Sequence, residues 1–237
     1  MAINIDWDID VDNFARFVDE HDTIFHGGLS DRINASRVVS LYWFKKYVVE
    51  YPEILGRKSA VVSGSESEPE LKFLNPSHVD FVNFSENTAF DLSKVWSSDL
   101  LAEKYMSYDV VICNQVLEHV FNPIIAFDNL TLLLRPKGFL YISVPIINCV
   151  HGEPYFYSSG YHPRFLVELA HNSKNAMTCI KLGAYGSRKY LMSAVSGKWL
   201  TVREAMFDGN ENCPTQLGSF RCDLRSPTDT WALYIKE

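Results

Sequence analysis

Polar residues that could do chemistry follow two apolar runs of the sequence. The group after the run 108–113 consists of Asn114, Gln115, Glu118 and His119. His151 comes soon after the second run, 139–144. The spacing predicts that Gln115, Glu118 and His119 share one face of the first turn of a helix. A neutral imidazole accepts a proton near pH 7, so this face could support acid–base chemistry. The alternative is that His119 only packs at the end of the strand.

A long loop between residues 146 and 165 carries a second group of candidate residues. It is rich in aromatic and cationic side chains, which are Tyr155, Tyr157, Tyr161, His162 and Arg164. Long loops in compact domains are often functional. Aromatic rings with polar tips suit stacking on a sugar or on another aromatic ring. The alternative is that these rings only attach the loop to the domain.

A strand, a helix and a second strand must position these residues. Residues 108–113 and 139–144 are short apolar runs, typical of strands that are buried on both faces. Residues 115–134 carry apolar residues at helical spacing, with Pro123 as a break and residues 135–138 as the stop signal. Such a unit forms a right-handed crossover in a parallel sheet, and ligands bind beyond the carboxyl ends of its strands.

The remaining segments predict further elements around this unit. Residues 1–57 are expected to form a helical extension that either packs on the sheet or acts as a lid. As a lid, it would reach inward with Trp7, His21, Phe25, His26 or Arg32. Residues 58–237 are expected to form the main domain, with an irregular insertion at about 184–229. The predicted helices are 14–18, 37–51, 70–74, 98–105 and 163–170, and the further strands are 59–63, 78–84, 178–182 and 230–236.

Composition limits the classes of function. The 237 residues carry a net charge of −7, which weakly opposes a nucleic-acid partner because phosphate binding needs a basic face. The five cysteines are odd in number and form no CxxC pair, so a reducing, cytoplasmic setting is expected. The first ten residues are acidic and lack the apolar core of a signal peptide. No apolar run is long enough to span a membrane.

The stretch 108–145 resembles the second half of a class I S-adenosylmethionine-dependent methyltransferase of the type 11 group. The features that match are Asp109 at the start of a strand, the sequence VLEHV at 116–120, the sequence RPKG at 135–138 and a strand that ends in Pro145. The aromatic segment 154–170 is similar to the same family, and the likeness extends from 59 to about 172. It implies a Rossmann-like, mostly parallel sheet with helices on both faces and an antiparallel C-terminal strand. It also implies S-adenosylmethionine as cofactor and S-adenosylhomocysteine as product.

The resemblance also implies a set of cofactor-binding residues. These are Gly64 and Ser65 in the loop after the first strand, Glu86 for the ribose, Asp91 for the adenine, and Asn114 and Gln115 for the methionine portion. The loop departs from the glycine-rich family pattern, because only Gly64 matches and Glu66 stands where a second glycine is common. Either this is a variant loop that still binds the cofactor, or the chain is a relative that does not bind it.

On the acceptor side, the resemblance implies transfer to a hydroxyl, with a sugar or glycan as the expected acceptor. His119 is then the expected general base next to Glu118, and the acceptor is expected to contact His151, Tyr155, Tyr157, His162 and Arg164. The sequence is also similar to the E-x-x-E-H pattern of metal-dependent O-methyltransferases that act on small phenols or RNA 2′-hydroxyls. That alternative implies a metal site made of Gln115, Glu118 and His119, which a later histidine, His151 or His162, would complete.

Two other classes of function stay open at the level of sequence. The first is an inactive, methyltransferase-like protein that binds a partner. The second is a nucleic-acid methyltransferase, which needs clustered cations. The densest cluster is thin and consists of Arg188, Lys189, Lys181 and Lys198. A small-molecule or glycan acceptor is therefore the expected partner.

Overall fold

A seven-stranded mixed sheet forms the centre of the part of the chain that the computed structural model describes, which is residues 4–22, 34–83, 90–97, 105–152, 154–202 and 226–237. The strands are β1 (Ile5–Asp6), β2 (Lys58–Val62), β3 (His78–Val82), β4 (Tyr108–Asn114), β5 (Leu134–Pro145), β6 (Met177–Tyr185) and β7 (Asp229–Lys236). Their order across the sheet is β1-β6-β7-β5-β4-β2-β3. Only β7 runs antiparallel to its neighbours, β5 and β6. The predicted fold class is confirmed.

Six α-helices and two 3₁₀ turns are present in the same described residues. The helices are α1 (Val11–His21), α2 (Ala35–Glu50), α3 (Glu70–Leu74), α4 (Pro123–Leu133), α5 (Pro163–Asn172) and α6 (Arg188–Val195), and the turns are Pro52–Ile54 and Leu117–His119. Asp10, Asn34 and Asn122 cap α1, α2 and α4, because each side chain accepts a hydrogen bond from a backbone N–H in the first turn. Most of the predicted helix 98–105 lies outside the described residues.

Helices cover both faces of the sheet, and each face has its own apolar core. Side chains alternate along β4, so that Val110 and Ile112 face one core while Val111 and Cys113 face the other. The first core contains residues of α1 and α2, and the second contains residues of α4 and α5. This burial on both faces explains why the β4 sequence is almost continuously apolar.

The segment after β4 differs from the predicted helix 115–134. The helix α4 begins only at Pro123, and Leu117–His119 is a separate 3₁₀ turn. Gln115 has a left-handed backbone (φ 53°), and its N–H bonds to the carbonyl of Ser143 in β5. This bond keeps Gln115 at the strand end, so Gln115 and the 118–119 pair do not share a helical turn. Residues 135–138 follow the end of α4, as predicted, but they form part of β5 rather than a separate stop segment.

The predicted N-terminal extension supplies both a cover and an edge strand. Phe14 of α1 and Val38 of α2 are fully buried against the first core, and β1 pairs with β6 at the edge of the sheet. His21 is buried and donates from Nδ1 to the carbonyl of Phe17 at 2.8 Å, while Trp7 is 41% exposed. The other predicted lid residues, Phe25, His26 and Arg32, lie outside the described residues.

The region 184–229 begins and ends with ordered elements. Residues 184–185 complete β6, α6 follows at Arg188–Val195, and Asp229 begins β7. Residues 203–225 lie outside the described part of the chain. The domain boundaries stay predictions. In the described segments, no helix is both long and apolar enough to cross a membrane.

Candidate active site

A cavity of about 640 Å³ opens at the carboxyl ends of β2 and β4. Its wall consists of Ser63, Asp91, Leu92, Ser93, Lys94, Gln115, Val116, His119, Val120, Phe121, Gly152, Tyr155 and Tyr157. This is the edge at which ligands bind in parallel α/β sheets. The cavity therefore brings together two of the predicted cofactor residues, Asp91 and Gln115, with three predicted acceptor-side residues, His119, Tyr155 and Tyr157.

The loop after β2 packs so closely that Gly64 has no room for a side chain. A Cβ atom at Gly64 would lie 2.5 Å from Val61 Cγ1 and 3.0 Å from Glu68 Oε1. Ser63 rather than Gly64 or Ser65 faces the cavity, and it has a left-handed backbone (φ 53°). The loop thus keeps one glycine where close approach requires it.

A partly buried arginine ties this loop to the helix that covers it. Arg37 of α2 donates to Glu70 at 2.5 and 2.7 Å and to Glu68 at 3.2 Å. Glu70 is completely buried. Burial by itself would lower the pKa of Arg37, but the charge of Glu70 and the hydrogen bonds to it raise the pKa above its ordinary value. Sequence reasoning missed the ion pair between Arg37 and Glu70 because 33 positions separate these residues.

Asn114 extends the same network to the end of β4. Its Nδ2 donates to Glu68 at 3.2 Å, and its Oδ1 accepts from Ser143 Oγ at 2.8 Å. The predicted cofactor residue Asn114 therefore joins the loop after β2 to the ends of β4 and β5, whereas its neighbour Gln115 lines the cavity.

Asp91 supplies the negative charge on the cofactor side of the cavity. Its Oδ1 accepts from the N–H of Ser93 at 2.9 Å, and its Oδ2 lies 2.9 Å from Lys94 Nζ. Burial would raise the pKa of Asp91, but Lys94 and the N–H of Ser93 lower it below the ordinary value. Asp91 is therefore a carboxylate at neutral pH. Glu86, the predicted ribose ligand, lies outside the described residues.

His119 lies on the acceptor side of the cavity with a defined tautomer. Its Nδ1 is 2.7 Å from the carbonyl oxygen of Tyr155. A carbonyl can only accept, so Nδ1 carries the hydrogen and Nε2 keeps the lone pair in the neutral ring. Nε2 is 3.9 Å from Glu118 Oε1.

Glu118 is completely buried behind His119. Neither of its carboxylate oxygens accepts a hydrogen bond from another described residue. Burial raises the pKa of Glu118 to about 7, since a charge without partners is costly in a dry environment. Its backbone carbonyl accepts from the N–H groups of Tyr157 and Ser158, at 2.9 and 3.2 Å, and so fastens the aromatic loop to this turn.

His151 lies against His119, although 32 positions separate them in the sequence. The two rings meet edge to face with centroids 4.8 Å apart. His151 Nδ1 is 2.9 Å from the carbonyl oxygen of Cys149, so this nitrogen also carries its hydrogen. Gly152 makes the approach possible, because its φ is 66° and a Cβ there would lie 3.0 Å from His119 Cε1. We call Glu118, His119 and His151 the acceptor cluster.

The aromatic loop, residues 146–165, places only some of its predicted residues at the cavity. Tyr155 and Tyr157 line the cavity, and Tyr157 packs edge to face with Phe121 at 5.5 Å. Sequence reasoning missed Phe121, which is 74% exposed at the cavity although it is aromatic. His162 and Arg164 do not line the cavity, because His162 caps α5 by accepting from the N–H of Arg164.

Comparison with known proteins identifies the family. A model described as a methyltransferase domain matches residues 34–180, which is more than half of the chain. The chain belongs to this methyltransferase family. It is a class I enzyme that uses S-adenosylmethionine, as the sequence resemblance implies.

One solved structure supports the fold of this methyltransferase, and others are similar to it. A protein described as a sarcosine dimethylglycine methyltransferase from Galdieria sulphuraria is 12% identical, with a TM-score of 0.51, and the match covers 95% of this chain and 97% of that one. A 1,6-didemethyltoxoflavin-N1-methyltransferase from Burkholderia thailandensis, bound to S-adenosylhomocysteine, is 12% identical with a TM-score of 0.48, over 99% and 93% of the two chains. No curated protein matches the sequence.

The cofactor side of the cavity fits S-adenosylmethionine. The volume of about 640 Å³ is in the range of small-molecule sites. Ser63 lines the wall next to the tight turn at Gly64, and the carboxylate of Asp91 can accept hydrogen bonds from a ligand. When bound, S-adenosylmethionine supplies a methyl group on a sulfonium centre. We expect Ser63, Asp91 and Gln115 to hold it.

Proposed function

We propose that this methyltransferase transfers the methyl group to a hydroxyl of a sugar or glycan. The observation that carries the proposal is the acceptor cluster, in which His119 lines the cavity, Glu118 is buried behind it and His151 packs against its ring. Glu118 and the two histidines offer lone pairs there, and the ring N–H groups of both histidines are already used by backbone carbonyls. A hydroxyl must lose its proton when its oxygen is methylated. A cluster that attracts positive charge favours this loss.

The aromatic rim of the cavity supports a sugar as the acceptor. Tyr155, Tyr157 and Phe121 are 41%, 50% and 74% exposed, which is unusual for three large rings at one opening. Such rings stack on the apolar faces of sugars, and the hydroxyl groups of the two tyrosines can bond to sugar hydroxyls. The rim would then hold the sugar while His119 contacts the reacting oxygen.

We expect most of the rate enhancement to come from the positioning of the two reactants. The methyl carbon and the acceptor oxygen must lie in line, and holding two reactants in such a geometry is worth about 7–11 kcal/mol. Gln115 at the end of β4 and His119 in the following turn line the same cavity, so one short segment would align donor and acceptor.

A screen of acceptors tests the proposal. The purified chain is incubated with S-adenosylmethionine and a panel of sugars, phenols and amines, and S-adenosylhomocysteine is measured. We expect product with sugars. The variant His119→Ala should lose about 10²- to 10⁴-fold in turnover, while its affinity for S-adenosylhomocysteine changes little. His171→Ala serves as the control, because His171 is an exposed residue near the end of α5. Methylation of amines alone, or full activity of His119→Ala, would contradict the proposal.

A further inference from the structure

The acceptor cluster brings three possible metal ligands close together. One donor atom from each of Glu118, His119 and His151 lies within 4.8 Å of the other two. Both histidines use Nδ1–H for a backbone carbonyl, so their remaining nitrogens, Nε2, present lone pairs. The lone pair of His119 faces the carboxylate of Glu118 at 3.9 Å. A cation between these two electron-rich groups would be attracted by both.

The burial of Glu118 is a second observation that is consistent with a bound cation. Its side chain has no exposed surface, and neither carboxylate oxygen has a hydrogen-bond partner among the described residues. Buried carboxylates in proteins are paired, hydrogen-bonded or bound to a metal ion. No lysine or arginine of the described segments forms an ion pair with Glu118. The structure thus leaves one fully buried acidic group whose natural partner is a cation.

We propose that Glu118, His119 and His151 bind a divalent first-row transition metal ion, such as Zn²⁺, Mn²⁺ or Co²⁺. Two imidazoles and one carboxylate suit these ions better than Mg²⁺ or Ca²⁺, which prefer oxygen ligands alone. Backbone carbonyls that fix the tautomer of each histidine are the usual outer partners of metal-binding imidazoles. Of the two histidines that the sequence offers to complete a metal site, His151 belongs to the cluster and His162 caps α5, while Gln115 is not part of the cluster.

The three donor atoms need to move only slightly closer together to bind one ion. Ligands bound at about 2.1 Å lie roughly 3–4 Å apart around one metal centre, and the donors of the cluster are at most 4.8 Å apart. Gly152 is the point at which the loop approaches His119, and a side chain there would separate the two histidines. We therefore assign Gly152 as a positioning residue of this site.

The ion would have a role in the reaction, which rests on the proposed function. Three protein ligands leave an open position, and His119 and Gly152 are on the cavity wall. An acceptor hydroxyl bound there acquires a lower pKa and releases its proton to solvent water. The oxygen then bonds to the methyl carbon as the carbon–sulfur bond breaks, and the electron pair of that bond stays on sulfur. In this scheme His119 is a ligand and takes no proton, which replaces its expected role as general base.

Metal titration of the full, tag-free chain tests the site. After treatment with a chelator and dialysis, Co²⁺ is added and its absorption spectrum is followed, and Zn²⁺ binding is measured by calorimetry. We expect one ion per chain and a Co²⁺ spectrum typical of nitrogen and oxygen ligands. His151→Ala and Glu118→Gln should each weaken binding at least 10- to 100-fold, the loss that outer partners alone produce. The matched control His162→Ala should bind as tightly as the parent.

Each outcome separates this inference from the proposed function. S-adenosylhomocysteine binding shows that a variant is folded. No bound ion, or equal binding in the parent and in both cluster variants, would overturn the metal site. A loss in His162→Ala without a loss in His151→Ala would overturn the ligand set. If the chain methylates sugars after chelation at an unchanged rate, the inference fails while the proposed function stands. If it binds one ion but methylates no hydroxyl, the metal site stands and the proposed function fails.

Discussion

Removing the charge of Arg37 should destabilise this methyltransferase strongly, although Arg37 is not in the cavity wall. In the variant Arg37→Met, Glu70 loses two charged hydrogen bonds while it remains completely buried. Hydrogen bonds to charged groups contribute about 1.5–3 kcal/mol each. Breaking a buried pair by removing one partner costs about 3–5 kcal/mol. The first route gives a loss of about 3–6 kcal/mol and the second about 3–5 kcal/mol, a large part of the roughly 5–15 kcal/mol that stabilises an ordinary domain.

Glu68 adds little to this loss but connects it to the cofactor. Glu68 is 21% exposed, so water can replace Arg37, and Asn114 stays bonded to it. The loop after β2 nevertheless loses its link to α2. We therefore expect Arg37→Met to weaken S-adenosylhomocysteine binding by about 10-fold, which corresponds to about 1.4 kcal/mol.

Urea unfolding followed by circular dichroism, together with calorimetry of S-adenosylhomocysteine, measures both effects. The double variant Arg37→Met with Glu70→Gln should recover most of the stability, because no buried charge remains unpaired. Lys45→Met is the matched control, since Lys45 and Glu20 form an exposed pair at 3.7 Å and should contribute less than about 1 kcal/mol. A loss below about 1 kcal/mol in Arg37→Met, or a double variant as unstable as the single one, would refute the reasoning.

Two further predictions concern the loop after β2 and the start of β7. Gly64→Ala should lower the free energy of unfolding by about 1–3 kcal/mol, because the added methyl group contacts Val61, and it should weaken S-adenosylhomocysteine binding. The control Ser65→Ala changes an exposed residue of the same loop and should alter both quantities little. Equal calorimetric affinities of the two variants would contradict this prediction. Burial raises the pKa of Asp229 to about 6, so the folded chain holds this proton more tightly than the unfolded chain does. The free energy of unfolding therefore contains a contribution from Asp229 that is fully present below about pH 4 and is lost as the pH rises through 6. The part of the loss that is due to Asp229 is at most about 3 kcal/mol. Urea unfolding from pH 4 to 7 should show it as the difference between the parent and Asp229→Asn, which keeps the loss from Glu118, and parallel pH profiles would exclude it.

Local sequence patterns determined most of the elements and their order. The strand at 108–113 and the short helix at 70–74 are predicted almost to the residue, because alternation, apolar runs and helix ends depend on near neighbours. The rule that ligands bind at the carboxyl ends of parallel strands also placed Gln115 and His119 at the cavity. One segment escaped this reasoning: the turn after β4 is not a helix, because the N–H of Gln115 pairs with the carbonyl of Ser143 on the neighbouring strand.

Tertiary structure alone decided which distant residues meet. His151 rather than His162 lies against His119, because the backbone turn at Gly152 brings one to the ring while the other caps α5. The ion pair between Arg37 and Glu70 likewise cannot be predicted from any local sequence pattern. Periodicity reports which face of an element is buried, whereas a pair of polar groups from different elements is fixed only when the sheet and its covering helices have packed. The sequence by itself therefore determined the family, the fold and the edge that holds the cavity, and packing decided the chemistry at that edge.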